Sequence, residues 1–318
     1  MKIDSRTIKK IGKKIGNHSS IQSIVRIAVT FCWSRKILNS LYLRLTPYQR
    51  SVFHGLFAKI FRDKSYQVRN GVWKIEFQGK TIALPLDSEQ IWLKWDSAVS
   101  IVGHDINVKE TYRYLLNLPN KPDLFIDIGA NYGTHSLLFL VHGINTLTFE
   151  PNSSCHIFFK NLCELNGVQP NLQPIALGET DSHVELSYPI HDTWLGSTDK
   201  EVINKLATSH ELVTERVVQK KLDDYMGHLV NKDTLIKIDT EGNELFVLRG
   251  STKILQHVKP KVIFESWNAD DRIALFEFFN LHSYQIYSLP MTSSNAEQVL
   301  DYDQFVNSTS DNFIAIPK

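Results

Sequence analysis

The 318-residue chain has only three cysteines, Cys32, Cys155 and Cys163, and they show no metal-ligand spacing. An odd, small count argues against a disulfide framework and fits a reducing cytosol. Long apolar runs are missing too. The most apolar amino-terminal stretch, Ile21 to Trp33, is 13 residues long and contains Arg26, too short to span a bilayer. It also lacks the clean apolar core and small-residue cleavage site of a secretory signal. No G-x-x-x-x-G-K-[ST] string occurs, which excludes a P-loop, and no internal repeat or low-complexity segment is present.

Acidic residues are almost absent from the first 64 positions. Fourteen Lys or Arg stand there against Asp4 and Asp63, a net +12, so the remainder must carry −11 toward the total of +1. Ile3, Ile8, Ile11 and Ile15 recur among Lys9, Lys10, Lys13 and Lys14, the pattern of a basic amphipathic helix. Three readings fit this arm: it binds an anionic membrane surface or other anionic partner, it is an organelle-targeting leader, or it is a helical cap whose charges are solvated. Nucleic acid is a poor fit, because no aromatic-rich recognition module accompanies the charge.

What is present is 42% hydrophobic and 22% charged residues, the balance of a globular protein. The organising stretch is Leu124 to Gly133, LFIDIGANYG. Leu124, Phe125, Ile126 and Ile128 suit a strand buried on both faces. Gly129 and Gly133 supply the backbone freedom of a tight strand-to-helix turn, with a helix expected from about Tyr132. Asp127 lies at the strand's carboxyl end, where open α/β sheets bind ligands. A second apolar run, Thr146 to Phe149, ends in Glu150, 23 residues after Asp127. That is the offset of one βαβ unit, and it suits a ribose-binding carboxylate. Asn131 occupies the place of the second glycine of a dinucleotide fingerprint, which disfavours a nicotinamide-dependent oxidoreductase, one alternative reading. A non-catalytic glycan- or membrane-binding module is the other.

Further elements follow in order. VWKIEF and KTIALP, parted by Gln78 and Gly79, read as a hairpin, and a linking helix is expected over about 107–118. A helix over 153–166 leads to a third strand at 172–175, whose carboxyl end offers Ala176 and Leu177 as an adenine border. Ser182 to Tyr188 and Val213 to Leu222 pair as exposed strands, and 189–210, with Trp194, reads as a polar loop or lid. Leu235 to Ile238 ends in Asp239, Thr240, Glu241 and Gly242. Val262 to Phe264 ends in Glu265. A helix over 271–280 and strands over 284–288 and 312–316 close the chain.

D-I-G-A-N-Y-G resembles motif I of class I S-adenosylmethionine-dependent methyltransferases, and more narrowly the D-x-G-A-N-x-G of the FkbM-type family. IKIDTEGNE resembles that family's K-I-D-x-E-G-x-E. The resemblance covers about 107–318. It implies a Rossmann-like, mostly parallel sheet with an antiparallel last strand, preceded by a basic helical region over 1–64 and a hairpin and connector over 65–106. It implies S-adenosyl-L-methionine as cofactor, held by Asp127, Gly129, Ala130, Asn131, Gly133 and Glu150, and O-methylation of a sugar or natural-product hydroxyl. Asp239 is the first candidate for base, Glu241 the second, and His135 the third because it opens the first helix. A divalent ion bridging Asp239 and Glu265 would need a third ligand that the sequence does not reveal, so no metal is expected. The D-T-E-G string stands where enzymes methylating base amino groups carry N-P-P-Y, which disfavours nucleic acid as substrate. The expected setting is cytoplasmic, at the inner face of a membrane if the basic arm binds lipid.

Overall fold

The computed structural model describes residues 19–46, 48–50, 52–53, 60, 72–85, 105–189, 195–267, 269–294, 296 and 298–318. The basic helix expected over residues 3–15 and Trp194 lie outside them. The chain divides into two compact units, residues 1–109 with 164–167, and 110–163 with 168–318.

In the first unit, helices α1 (Ser19–Ala28) and α2 (Cys32–Leu43) are followed by the hairpin β1 (Val72–Phe77) and β2 (Lys80–Pro85). The alternation in the two strands buries Trp73, Ile75 and Phe77 with Ile82 and Leu84. Gln78 and Gly79 make the turn with φ of 48° and 72°, the left-handed pair that a two-residue hairpin needs. Asn39 on α2 fastens the hairpin, accepting from Trp73 Nε1 at 2.9 Å and donating to the Lys74 carbonyl.

The second unit is built on β3 (Leu124–Ile128), β4 (Asn145–Phe149), β5 (Leu172–Gln173), β9 (Thr234–Ile238), β10 (Lys261–Glu265), β11 (Tyr284–Ser288) and β12 (Asn312–Pro317). Their order across the sheet is β11-β12-β10-β9-β3-β4-β5. All pairings from β10 through β5 are parallel, and β12 runs antiparallel to both neighbours. This is the Rossmann-like class I methyltransferase sheet that the motifs imply. Every residue of β3 and β9 is buried, as strands covered on both faces require. The order reverses between β3 and β9, and the crevice at the carboxyl ends of such a pair is where α/β sheets bind ligands.

The helices are α3 (Ile106–Leu116), α4 (Thr134–Leu140), α5 (Ser153–Leu165), α6 (Lys200–Ala207), α7 (Glu244–Arg249), α8 (Thr252–His257), α9 (Ala269–Leu281) and α10 (Tyr302–Val306). A second sheet, order β6-β8-β7, is formed by β6 (Ala176–Leu177), β7 (Ser182–Pro189) and β8 (Leu212–Lys220). The register runs from Ser182 opposite Gln219 to Pro189 opposite Leu212.

Three expectations need correction. The helix after β3 starts at Thr134, not Tyr132, because Asn131 and Gly133 both hold positive φ, 50° and 67°, outside helical geometry. The third strand stops at Gln173, and Ala176 and Leu177 instead pair with Gln219 and Lys220 in the second sheet. Where a loop was expected over 189–210, α6 forms; its N-cap Asp199 accepts from Glu201 N at 2.8 Å and Val202 N at 3.0 Å.

Candidate active site

The turn after β3 is held from below. Gly129 N and Ala130 N both donate to the Phe149 carbonyl at 3.1 Å, which ties the turn to the end of β4. Asp127 is fully buried; its Oδ2 accepts from Ser136 N at 3.0 Å and Ser136 Oγ at 2.8 Å, so it clamps the first turn of α4. Its Oδ1 is buried with no hydrogen-bond partner. Burial pushes its carboxyl above the ordinary range, although the Lys237 charge and the Ser136 bonds oppose this.

Gly129 and Gly133 both hold the positive φ expected of the turn, 75° and 67°, and each is also required by a close neighbour. A Cβ on Gly129 would stand 1.8 Å from the Asp239 carbonyl oxygen, so the turn after β3 and the end of β9 touch backbone to backbone. Gly133 is buried, and a Cβ there would lie 2.1 Å from the Phe159 ring on α5. Gly133 thus admits the Phe159 ring beside the turn. Of the turn, Gly129, Asn131 and Thr134 retain partial exposure, while Ala130 and Tyr132 are buried.

Glu150, at the end of β4, accepts from Asn131 N at 2.6 Å through Oε2 and from Asn152 N at 2.7 Å through Oε1. Each oxygen keeps a further lone pair for a hydroxyl donor. Its carboxyl is pushed up from 4.5 to about 7 by burial, which outweighs the two N–H bonds. A folded-state value above the unfolded one means that this group's stabilisation is complete below the unfolded value and is lost as pH rises through 7. Asp127, Glu244 and Glu265 shift the same way. The ligand-free chain is therefore expected to melt at lower temperature as pH rises from about 5 to about 8, and Glu150→Gln to flatten part of that fall. A scan of thermal transitions against pH checks this.

At the end of β9, Asp239 Oδ2 accepts from Lys237 Nζ at 2.7 Å, with the Lys237 side chain buried and that of Asp239 29% exposed. Oδ1 has no hydrogen-bond partner among the described residues. Lys237 also sits in register with Asp127 on the adjacent strand. One buried ammonium thus serves both motifs. Glu241 follows with φ 55°, left-handed for a non-glycine residue, and Ser197 Oγ donates to its carbonyl at 2.8 Å. The ligand atoms of Asp239, Glu241 and Glu265 lie within 4.8 Å of one another. Glu241 is thus the third carboxylate that the sequence did not reveal, and these three residues are the ones that could hold a divalent cation. Burial, then the Asp239 charge, raises the Glu265 carboxyl.

Glu244 was missed, although the resemblance includes it as the last residue of its motif. Its Oε1 accepts from Thr240 N at 2.8 Å, Thr240 Oγ1 at 2.9 Å and Gly242 N at 3.4 Å, closing the turn that carries Asp239 and Glu241. Glu244→Ala is expected to lower stability by about 1–3 kcal/mol, and Glu244→Gln, which keeps the acceptor oxygen, by much less. Denaturant unfolding distinguishes them. Lys237 was missed as well, though a lysine inside the apolar run TLIKI is its signal.

Two groups of expected residues stand elsewhere. His135 is buried on α4 with Nδ1 2.9 Å from the Tyr112 hydroxyl of α3. Ala176 packs in a small core with Leu186, Tyr188 and Val217, and Leu177 lies in the main core.

The family profile of the methyltransferase FkbM domain matches residues 127–302, more than half of the chain and the whole span from Asp127 past Glu265. The chain belongs to the FkbM methyltransferase family. Among relatives of this FkbM chain, the hexuronic acid methyltransferase AglP of Haloferax volcanii is 30% identical over 156 residues, 47% of the chain. The match spans 59% of that relative's length. Among solved structures, the FkbM methyltransferase from Methylobacillus flagellatus KT shares 16% identity over 70% of this chain and 54% of its own, with a TM-score of 0.37. An S-adenosylmethionine-dependent methyltransferase from Agrobacterium tumefaciens shares 11% over 80% and 72%, with a TM-score of 0.39.

Proposed function

We propose that this FkbM-family chain is an S-adenosylmethionine-dependent O-methyltransferase acting on a hydroxyl of a sugar or related acceptor. The observation that supports the reading is the backbone contact between Gly129 and Asp239, which sets the turn after β3 directly beside a carboxylate cluster. The residues present fit the cofactor: Glu150 offers two carboxylate oxygens with unused lone pairs to ribose hydroxyls, and Asp127 Oδ1 is a buried acceptor still unsatisfied. When bound, S-adenosylmethionine supplies a methyl group made electrophilic by its sulfonium.

The chain's own residues do the rest. Asp239 Oδ1 takes the proton of the acceptor hydroxyl, while Lys237 on Oδ2 holds the carboxylate in orientation and compensates its charge. Glu241 and Glu265 orient the acceptor at the same edge, and α6 borders that edge, Val202 Cγ2 lying 3.4 Å from a Cβ placed on Gly242. With the cofactor bound, holding the acceptor oxygen in place at this edge would supply much of the acceleration.

A hexuronic acid, named in the relative, offers hydroxyls and a carboxylate as acceptors. The carboxylates of this edge disfavour a further anionic group, so a neutral hydroxyl is the acceptor that suits this site. Incubation with radioactive methyl donor is expected to label a glycan fraction rather than protein or free metabolites, in a form stable to mild alkali. Equal labelling of all three fractions would remove the sugar assignment, and alkali-labile label would mean a methyl ester.

A further inference from the structure

Among the described residues, the amino-terminal helices carry an exposed apolar face. On α2, Trp33, Ile37 and Leu41 recur at spacing four, which places them on one side of the helix, and they are 64%, 52% and 53% exposed. The opposite side is where α2 is buried, through Arg35 and Tyr42. Arg35 donates to the carbonyls of Val29 and Thr30 at 2.9 and 3.0 Å and so fixes the corner between α1 and α2. At that corner Phe31 stacks on Trp33 with ring centroids 6.2 Å apart, and Ile24 and Ile27 of α1 are likewise mostly exposed. Six large apolar residues in 18 positions thus face outward.

The polar residues among them have one sign. Lys36 and Arg44, three positions from Trp33 and Leu41 respectively, are exposed on the same side of α2. The first 64 residues hold only two acids against fourteen bases. An apolar face flanked by aromatic rings and basic side chains, with no carboxylate on either helix, complements one kind of surface. That surface is a bilayer with anionic headgroups, where rings and aliphatic chains enter the headgroup boundary and ammonium and guanidinium groups meet phosphate. Among the described residues no helix is long and apolar enough to cross a membrane, so the fit is to lying on the surface.

We infer that Ile24, Ile27, Phe31, Trp33, Ile37 and Leu41, with Lys36 and Arg44, form a docking face for an anionic lipid bilayer. The inference is independent of the reaction. The test is flotation of the full chain with phosphatidylcholine vesicles, with and without phosphatidylglycerol, at low and high salt. The chain is expected to float with the anionic vesicles, to bind neutral ones at least tenfold less, and to be released by salt. Trp33→Ser/Ile37→Ser/Leu41→Ser is expected to lose at least tenfold in binding, and Lys36→Glu/Arg44→Glu roughly tenfold. The charge-reversal pair and the salt series decide the matter should the triple variant misfold. Absence of binding by the intact chain, or binding that neither set of substitutions weakens, would overturn the assignment. So would a dimer of the intact chain in sedimentation that the charge-reversal or triple variant dissolves, since the face would then belong to a second copy.

Discussion

Asp239→Asn is expected to lower turnover by about 10²–10⁴-fold while leaving cofactor affinity within a few-fold. The substitution keeps the shape of the side chain and removes its ability to take a proton. It also strips the anion from Lys237, which is buried and bonded to Oδ2 at 2.7 Å. A stability loss of about 1–3 kcal/mol therefore accompanies the kinetic one, at the lower end because Asp239 is partly exposed. Rate per folded molecule separates the two effects: a merely structural Asp239 would lose stability and keep its turnover. Glu265→Gln provides the contrast. Burial and the neighbouring Asp239 charge raise the Glu265 carboxyl, so the amide is the smaller change there and turnover should fall far less than in Asp239→Asn.

Gly129→Ala is expected to be severely destabilising. The added carbon would lie 1.8 Å from the Asp239 oxygen and 2.8 Å from its carbonyl carbon, both backbone atoms at a strand end that cannot swing aside. The φ of 75° adds strain of its own. A loss above about 3 kcal/mol follows, or failure to accumulate as folded protein. Gly143 and Gly167 share a positive φ, 75° and 66°, with nothing within 4 Å of a Cβ. Alanine there should cost only about 1–2 kcal/mol, the conformational part alone. Denaturant titration of the three variants thus divides the cost of collision from the cost of dihedral. Gly133→Ala should resemble Gly129→Ala but be partly rescued by Phe159→Leu, because its obstacle is a side chain.

The elements that were legible in sequence are those whose signal is local. β3, β4, β9 and β10 are short apolar runs that break into an acid or a glycine turn, and all four were placed within a residue or two. The hairpin turn at Gln78 and Gly79 was legible for the same reason. What was not legible depends on partners far along the chain. Ala176 and Leu177 continue an apolar run, and only their pairing with Gln219 and Lys220 turns them away from the main sheet. The segment leading into α6 looks like loop, and its helix is set by the Asp199 cap and by Ser197 bridging to Ser187. The reason for Gly133 was invisible because Phe159 lies 26 positions away. Lys237 and Glu244 bear charge inside buried segments, and only their partners show why that charge is tolerated.

The central claim is that the turn after β3 and the acid ending β4 hold S-adenosylmethionine. Calorimetric titration of the purified chain with S-adenosylhomocysteine tests it most directly, in the wild type and in Glu150→Ala. Micromolar binding of one ligand per chain, weakened roughly tenfold or more by the substitution, is the predicted result. A chain that shows a normal thermal transition and takes up no S-adenosylhomocysteine, or binds it equally well without the Glu150 carboxylate, would contradict the account.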